Sequence, residues 1–294
     1  MMNKLSYYLL YCISLLPMRV LYVISDFFAF LLYYIVGYRK KVVFNNLDIA
    51  FPEKTISEKK IIAKKFYQNF TDTLLETIKI MSAGEKLIDK MFVYDEASLD
   101  IMKQTSKPIQ IHAMHNFNWE IVNLGFSRKA TLPFIGVYQP ITNPFFEKLF
   151  KKIRSQFGTI LIPANDFKRN YIPFQDQQYI IALVADQNPG NPAKAYWAHF
   201  FGKLTPFVTG PEKAAKQKNA LVVFGYFYKL KRGVYSFEVF KASEDPSSMK
   251  EGELTLQYIR FLEERIRSNP DNYLWSHRRW KHPFETAYEK LVIT

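Results

Sequence analysis

Among the residues able to do chemistry, His115 and Glu120 have the most telling surroundings. They stand in the run Ile111-His112-Ala113-Met114-His115-Asn116-Phe117-Asn118-Trp119-Glu120. The apolar stretch ending there reads as a strand, and Asn118 is a good N-cap for a helix beginning at Trp119. His115 then occupies the loop at a strand's carboxyl end, where open α/β sheets place their sites. Glu120, in the first helical turn, is placed to reach back to that imidazole. Such a carboxylate fixes the tautomer and stabilises the imidazolium formed when the ring takes a proton. A base with an orienting acid, and no protein nucleophile, suits direct acyl transfer. Taken bare, His-x4-Glu is a weak pattern that occurs often by chance, and an N-cap carboxylate beside a loop histidine is then the better reading.

The other reactive side chains narrow the choice. The remaining histidines are His112, His199, His277 and His282, and the single cysteine is Cys12, inside an apolar stretch. His112 lacks the companions of a metal motif, so no metal and no cofactor are expected, and it reads as packing at the strand end. His199 and His277 have no acid at an informative spacing and read as structural. One cysteine supports neither a disulfide framework nor a thiol nucleophile in the body of the chain. Arg154 shares a basic helix face with Lys148, Lys151 and Lys152. That face is either solvated or a seat for phosphate. Asp186 follows an apolar run and either orients another site group or caps the turn before Asn188-Pro189-Gly190. The cluster Arg278-Arg279-Trp280-Lys281 reads as a phosphate or membrane contact, or as a solvated edge. No P-loop, Gly-x-Gly-x-x-Gly or Gly-x-Ser-x-Gly occurs.

The elements that must position these residues are legible in the apolar pattern. Strands are expected at 109–113, 133–138, 159–162, 180–185, 221–229 and 234–240, and helices at 119–126, 144–156, 209–218 and 252–267. Their alternation predicts an α/β fold, a central mixed sheet flanked by helices. Before it, Thr55 and Glu58 have capping-box spacing, and apolar residues from Ile61 to Ile78 recur at helical intervals. One amphipathic helix over 57–80 follows.

The amino-terminal part differs from the rest. Two apolar runs, 5–16 and 20–36, are separated by Pro17-Met18-Arg19 and followed by Arg39-Lys40-Lys41. The first lacks the small-x-small cleavage site of a signal peptide, and the chain stays apolar after it. A helix of about seventeen residues spans roughly 26 Å, just short of the hydrocarbon core. It therefore either spans with local thinning or lies in the interface, and a buried core helix is disfavoured by its length and flanking charge. If it spans, the basic cluster holds the body on the cytoplasmic side. The expected division is 1–41 as membrane-anchoring helices and 42–294 as the α/β domain. The net charge of +13 suits an anionic partner such as a bilayer surface or an acidic carrier protein. Basic residues are spread widely and no nucleic-acid motif occurs, so nucleic acid is not expected.

In order along the chain, several blocks resemble the late acyltransferases of lipid A biosynthesis, within the wider lysophospholipid acyltransferase superfamily and its His-x4-Asp/Glu signature. They are Tyr38-Arg39-Lys40-Lys41, Ala50-Phe51-Pro52-Glu53, His115 to Glu120, Val137-Tyr138-Gln139-Pro140, Arg154 with Phe157-Gly158, Ala185-Asp186-Gln187, Phe200-Phe201-Gly202, and Tyr273 to Lys281. The family commonly has Phe-Gly-Asn-Trp between the histidine and the acid, whereas Asn116-Phe117-Asn118-Trp119 stands here. The resemblance implies an acyl-carrier-protein thioester as donor and a hydroxyl of a lipid A precursor or related membrane lipid as acceptor. It implies His115 as base and Glu120 as its orienting acid, with Asn118, Arg154 and Asp186 meeting substrate. It also implies a bacterial inner-membrane protein with its catalytic domain on the cytoplasmic face. An aminolipid or glycolipid acceptor is the alternative within enzymes, and a non-catalytic basic membrane-surface protein the alternative outside them.

Overall fold

The structure is a computed structural model and describes residues 2–294. Helices α1 (Met2–Leu15) and α2 (Met18–Phe30) are followed by a π-helical turn at Leu31–Val36, then α3 (Lys40–Ala50) and the long α4 (Ile56–Ile80). The α4 helix begins with the expected capping box: Thr55 Oγ1 accepts from Glu58 N–H, and Glu58 returns a carboxylate to the Thr55 backbone. Its apolar face, including Ile62, Phe66, Tyr67 and Ile80, is buried.

Next come α5 (Glu85–Met91), β1 (Phe92–Tyr94), α6 (Glu96–Lys103), β2 (Ile109–Ala113) and α7 (Trp119–Ser127). Alternation continues with β3 (Phe134–Tyr138), α8 (Pro144–Arg154), β4 (Ile160–Pro163), α9 (Phe167–Tyr171) and β5 (Ile180–Val184). A hairpin of β6 (Tyr196–Phe200) and β7 (Lys203–Phe207) forms a separate two-stranded sheet. Then follow α10 (Gly210–Lys218), β8 (Leu221–Lys231), β9 (Val234–Ser243) and α11 (Glu253–Ser268).

Seven strands form the main sheet in the order β1-β9-β8-β2-β5-β3-β4. All neighbours are parallel except the β8–β9 hairpin, so the sheet is mixed, as expected. Apolar clusters cover its two faces. One gathers Val43, Phe66, Phe117, Leu262 and Trp275, and the other gathers Ile88, Ile111, Ile121, Phe126 and Ile153. All six expected strands and all five expected helices are present, with ends displaced by a few residues at most. The expected pattern did not include β1, β6, β7, α3, α5, α6 or α9. β1 is only three residues long. β7 carries Pro206, which masks strand character and is tolerated in a two-stranded ribbon.

The amino-terminal helices pack on the rest of the chain. α1 and α2 lie against α4. The segment Met18–Val36 is long and apolar enough to cross a membrane by length and composition, and most of it is not buried within the protein. Val20, Val23, Phe27, Phe28, Phe30 and Ile35 are exposed. On its inner side Ser25 is buried and donates to Asp72 Oδ1 at 2.7 Å, and Asp26 pairs with Arg232 at 2.7 Å.

Candidate active site

Sheet register brings the first pair together. β2 and β5 are adjacent and parallel, with Ala113 opposite Val184. Two residues beyond each partner stand His115 and Asp186, so the same register carries them face to face past the strand ends. His115 Nδ1 is 2.7 Å from Asp186 Oδ1, and the His115 backbone N–H donates to the same oxygen at 3.2 Å. Asp186 is buried, while the His115 side chain keeps 26% of its exposure. With Nδ1–H engaged by the carboxylate, the neutral ring presents its Nε2 lone pair outward. Burial alone would raise the Asp186 carboxyl. The charge and hydrogen bonds of His115, with Arg279 behind, outweigh that and hold it below the usual carboxylate range.

Glu120 is differently engaged. Its carboxylate accepts from Arg154 Nη2 at 2.6 Å and from Arg154 Nε at 3.0 and 3.1 Å, and also from the Trp119 indole N–H at 3.0 Å. The orienting contact to His115 expected of Glu120 is therefore made by Asp186. The physical reason is placement: the β2–β5 register sets Asp186 against His115, while Glu120, buried on α7, meets a charged, two-pronged partner. The C-terminal end of α8 delivers one. Asp186, expected either to orient another site group or cap a turn and, by the resemblance, to meet substrate, takes the orienting place behind the histidine.

Asn118 also departs from its expected substrate contact. It is buried, caps α7 by accepting from the Glu120 and Ile121 N–H groups at 3.0 and 3.4 Å, and donates to Glu76 at 2.9 Å. The Phe117–Asn118 peptide is cis. The loop after β2 is clamped by the C-terminal block, where Phe117 N–H donates to Asn272 O and Leu274 N–H to His115 O, and by β8, where the Asn116 amide donates to Phe227 O. Arg279, read from sequence as an edge or phosphate contact, is buried instead. Its guanidinium donates to Asn188 Oδ1 and Pro206 O, and it faces Asp186 as a countercharge. A cation within an Arg-Arg-Trp-Lys cluster reads as surface, so nothing in the sequence marked it.

These groups border a cleft of about 560 Å³. His115, Trp119, Glu120 and Arg154 line it, with Gln187 and Asn188 beyond Asp186. Away from them the lining is mostly hydrocarbon, with Asn123, Tyr138 and Gln139 as its polar members. Across the sheet, Ile111, Ala182, Gly136 and Leu161 are register partners in one row, and all face the cleft. The small residues in the middle of that row leave a slot between sheet and α7. Phe126 and Phe134 also line it and meet edge to face with centroids 4.7 Å apart. His112 packs in the strand against Tyr258 and Phe224 and is pushed down to about 4 by burial. His277 accepts from the Asn188 backbone N–H at 3.3 Å, and burial pushes it to about 4 as well.

A histidine held by a buried acid, opening on a largely apolar slot, suits removal of a proton from a hydroxyl beside a hydrocarbon chain. Comparison with known proteins agrees. The family described as bacterial lipid A biosynthesis acyltransferase matches residues 2–282, and the chain belongs to that family. It is an acyltransferase. It is 22% identical over 247 residues to the lipid A biosynthesis lauroyltransferase of Escherichia coli K12, covering 83% of this chain and 79% of that one. Over the same length and shares it is 19% identical to the lipid A biosynthesis palmitoleoyltransferase of that strain. It is 20% identical over 234 residues to lipid A biosynthesis acyltransferase 2 of Shigella flexneri, covering 78% and 74% of the two chains.

Proposed function

We propose that this protein moves a fatty acyl chain from an acyl-carrier-protein thioester to a hydroxyl of a lipid A precursor at the cytoplasmic face of a bacterial inner membrane. The carrying observation is His115 at the mouth of an apolar slot, with its Nδ1 held 2.7 Å from the buried Asp186. His115 Nε2 takes the proton of the acceptor hydroxyl as that oxygen attacks the thioester carbonyl. Asp186 holds the tautomer and stabilises the imidazolium. The proton passes to the departing thiolate as the tetrahedral intermediate collapses. The acyl chain lies in the slot, where its methylenes leave water for hydrocarbon. Arg154 is aligned by Glu120 through Nε and Nη2, and supplies a fixed positive charge for a phosphate or the developing oxyanion. The exposed apolar residues of α1 and α2 rest in the interface and bring the cleft to its water-insoluble acceptor. Interfacial placement fits Asp26, which is tied to Arg232 in the middle of the apolar helix. A spanning helix would draw that ion pair into hydrocarbon.

The test is acyl transfer by purified protein in mixed micelles, with acyl-carrier thioester and a lipid A precursor, read by mass spectrometry. One added acyl chain per acceptor is expected. No acylated product from a folded protein would overturn the assignment, and an isolable acyl-protein would replace direct attack with a covalent route.

A further inference from the structure

Behind the catalytic loop lies a buried carboxylate that the mechanism does not use. Glu76 projects from α4 and is inaccessible to solvent. Three donors from three separate parts of the chain converge on it. The Tyr22 hydroxyl on α2 donates to Oε1 at 2.9 Å, the Tyr235 hydroxyl on β9 to Oε2 at 2.6 Å, and the Asn118 amide to Oε2 at 2.9 Å. None of the three is a cation, and a buried carboxylate without one is a costly arrangement. One turn earlier on the same helix, Asp72 is satisfied in the ordinary way, by Lys229 at 2.9 Å and Arg232 at 2.6 Å.

The donors join two otherwise separate functions. Tyr22 belongs to the helix whose other side exposes Val20, Val23, Phe27 and Phe30. Its hydroxyl is held close against the β8–β9 turn, because a Cβ built on Gly233 would lie 2.2 Å from it. Arg232 lies over the Tyr22 ring at 4.4 Å. Asn118, on the other side, caps α7 through the N–H groups of Glu120 and Ile121. A displacement of α2 on α4 therefore reaches the cap of the helix that aligns Arg154, through two hydrogen bonds that share one carboxylate.

We infer that Glu76 is a positioning residue that couples the seating of α2 on a lipid surface to the order of the Asn118 cap and the Glu120–Arg154 pair. The inference rests on the interfacial part of the proposed function and not on the identity of donor or acceptor. Coupling of this kind requires that the bound and free proteins differ at the cap, which amide hydrogen exchange reads directly.

The experiment compares the full-length protein with Tyr22→Phe and Ser25→Ala, free and bound to phosphatidylglycerol vesicles, with binding verified by sedimentation. Ser25 ties α2 to Thr71 and Asp72 but not to Glu76. Bound wild type should exchange the Glu120 and Ile121 amides several-fold more slowly than free protein. Tyr22→Phe should bind vesicles and lose most of that slowing, while Ser25→Ala should keep it. In turnover, Tyr22→Phe should lower kcat roughly five- to tenfold with the donor KM unchanged, the signature of misalignment rather than lost binding. Three results would overturn the coupling: no vesicle-dependent slowing in bound wild type, full slowing in Tyr22→Phe, or equal loss in Ser25→Ala. Vesicle-dependent protection in a protein that transfers no acyl group would leave this inference standing and remove the enzymatic reading instead.

Discussion

Asp186 and Glu120 serve the same cleft, both buried and both bonded to a base, yet their partners differ in one property. Asp186 holds an imidazole, a group with a second ring nitrogen able to take up and give back a proton. Glu120 holds a guanidinium, which does not. The first pair can move a proton during a reaction, whereas the second can only supply a permanent charge. A short sequence spacing between histidine and acid thus says less than the identity of the cation each acid meets. The two pairs also tolerate loss differently. Removing Asp186 leaves a histidine that can stay neutral, while removing Arg154 strands a buried carboxylate.

The sharpest way to break this division is at the proton-moving pair. His115→Ala should lower kcat on the order of 10²- to 10⁴-fold, the range for a positioned general base, measured as single-turnover acyl transfer by folded protein. Near-normal transfer would remove the mechanism. Asp186→Asn keeps the shape but not the charge, so the ring can adopt the wrong tautomer. A loss on the order of 10²-fold in kcat with little change in KM is expected. If Glu120→Gln proved more damaging to the chemical step than Asp186→Asn, the roles of the two acids would have to be exchanged.

The sequence made much of this legible, for particular reasons. The strand before His115 and the Asn118 cap are local signals, and both are where they were expected. The capping box at Thr55 is local too. The partner of His115 was not legible, because the proximity of Asp186 depends on β2 and β5 being adjacent and in register across 71 residues of chain. Strand order is a property of the whole sheet. Asp186 was legible from its place after an apolar run as a group that could orient another, whereas Arg154 stood out through the family resemblance; the side chain that each one meets was not legible. Arg279 was read as a contact or an edge because it stands in a charged cluster, Glu76 went unremarked within the amphipathic α4 helix, and only packing shows both buried.

The fixed-charge pair should answer mutation in stability as well as rate. Arg154→Ala leaves Glu120 buried with only the Trp119 indole, and should cost about 3 kcal/mol of stability, read by denaturant unfolding. Transfer should fall roughly tenfold, mainly through KM for the phosphate-bearing substrate. Replacing both members together, Glu120→Gln with Arg154→Gln, should regain much of the stability but not the rate. A double variant as unstable as Arg154→Ala would show that the pair contributes more than mutual neutralisation.

The smallest expected effect separates His115 from the two silent imidazoles near it. Burial pushes His112 and His277 from 6.5 to about 4 in the folded protein. As pH falls through 6.5 the unfolded chain takes up protons that the folded chain refuses. Protons bound on unfolding then exceed those bound when folded, so stability is full above that pH and declines towards about 4. Below about 4 both states are protonated at these sites and the loss stops growing. His112→Gln should therefore flatten part of the decline in melting temperature between neutrality and mild acid, at some cost at neutral pH from repacking beside Tyr258 and Phe224. The pH profile of acyl transfer should keep its shape in the same variant, because the reacting proton moves through His115. A shifted rate profile in His112→Gln would mean that the buried imidazole communicates with the base, and the proton-moving region would then extend down β2 beyond the His115–Asp186 pair.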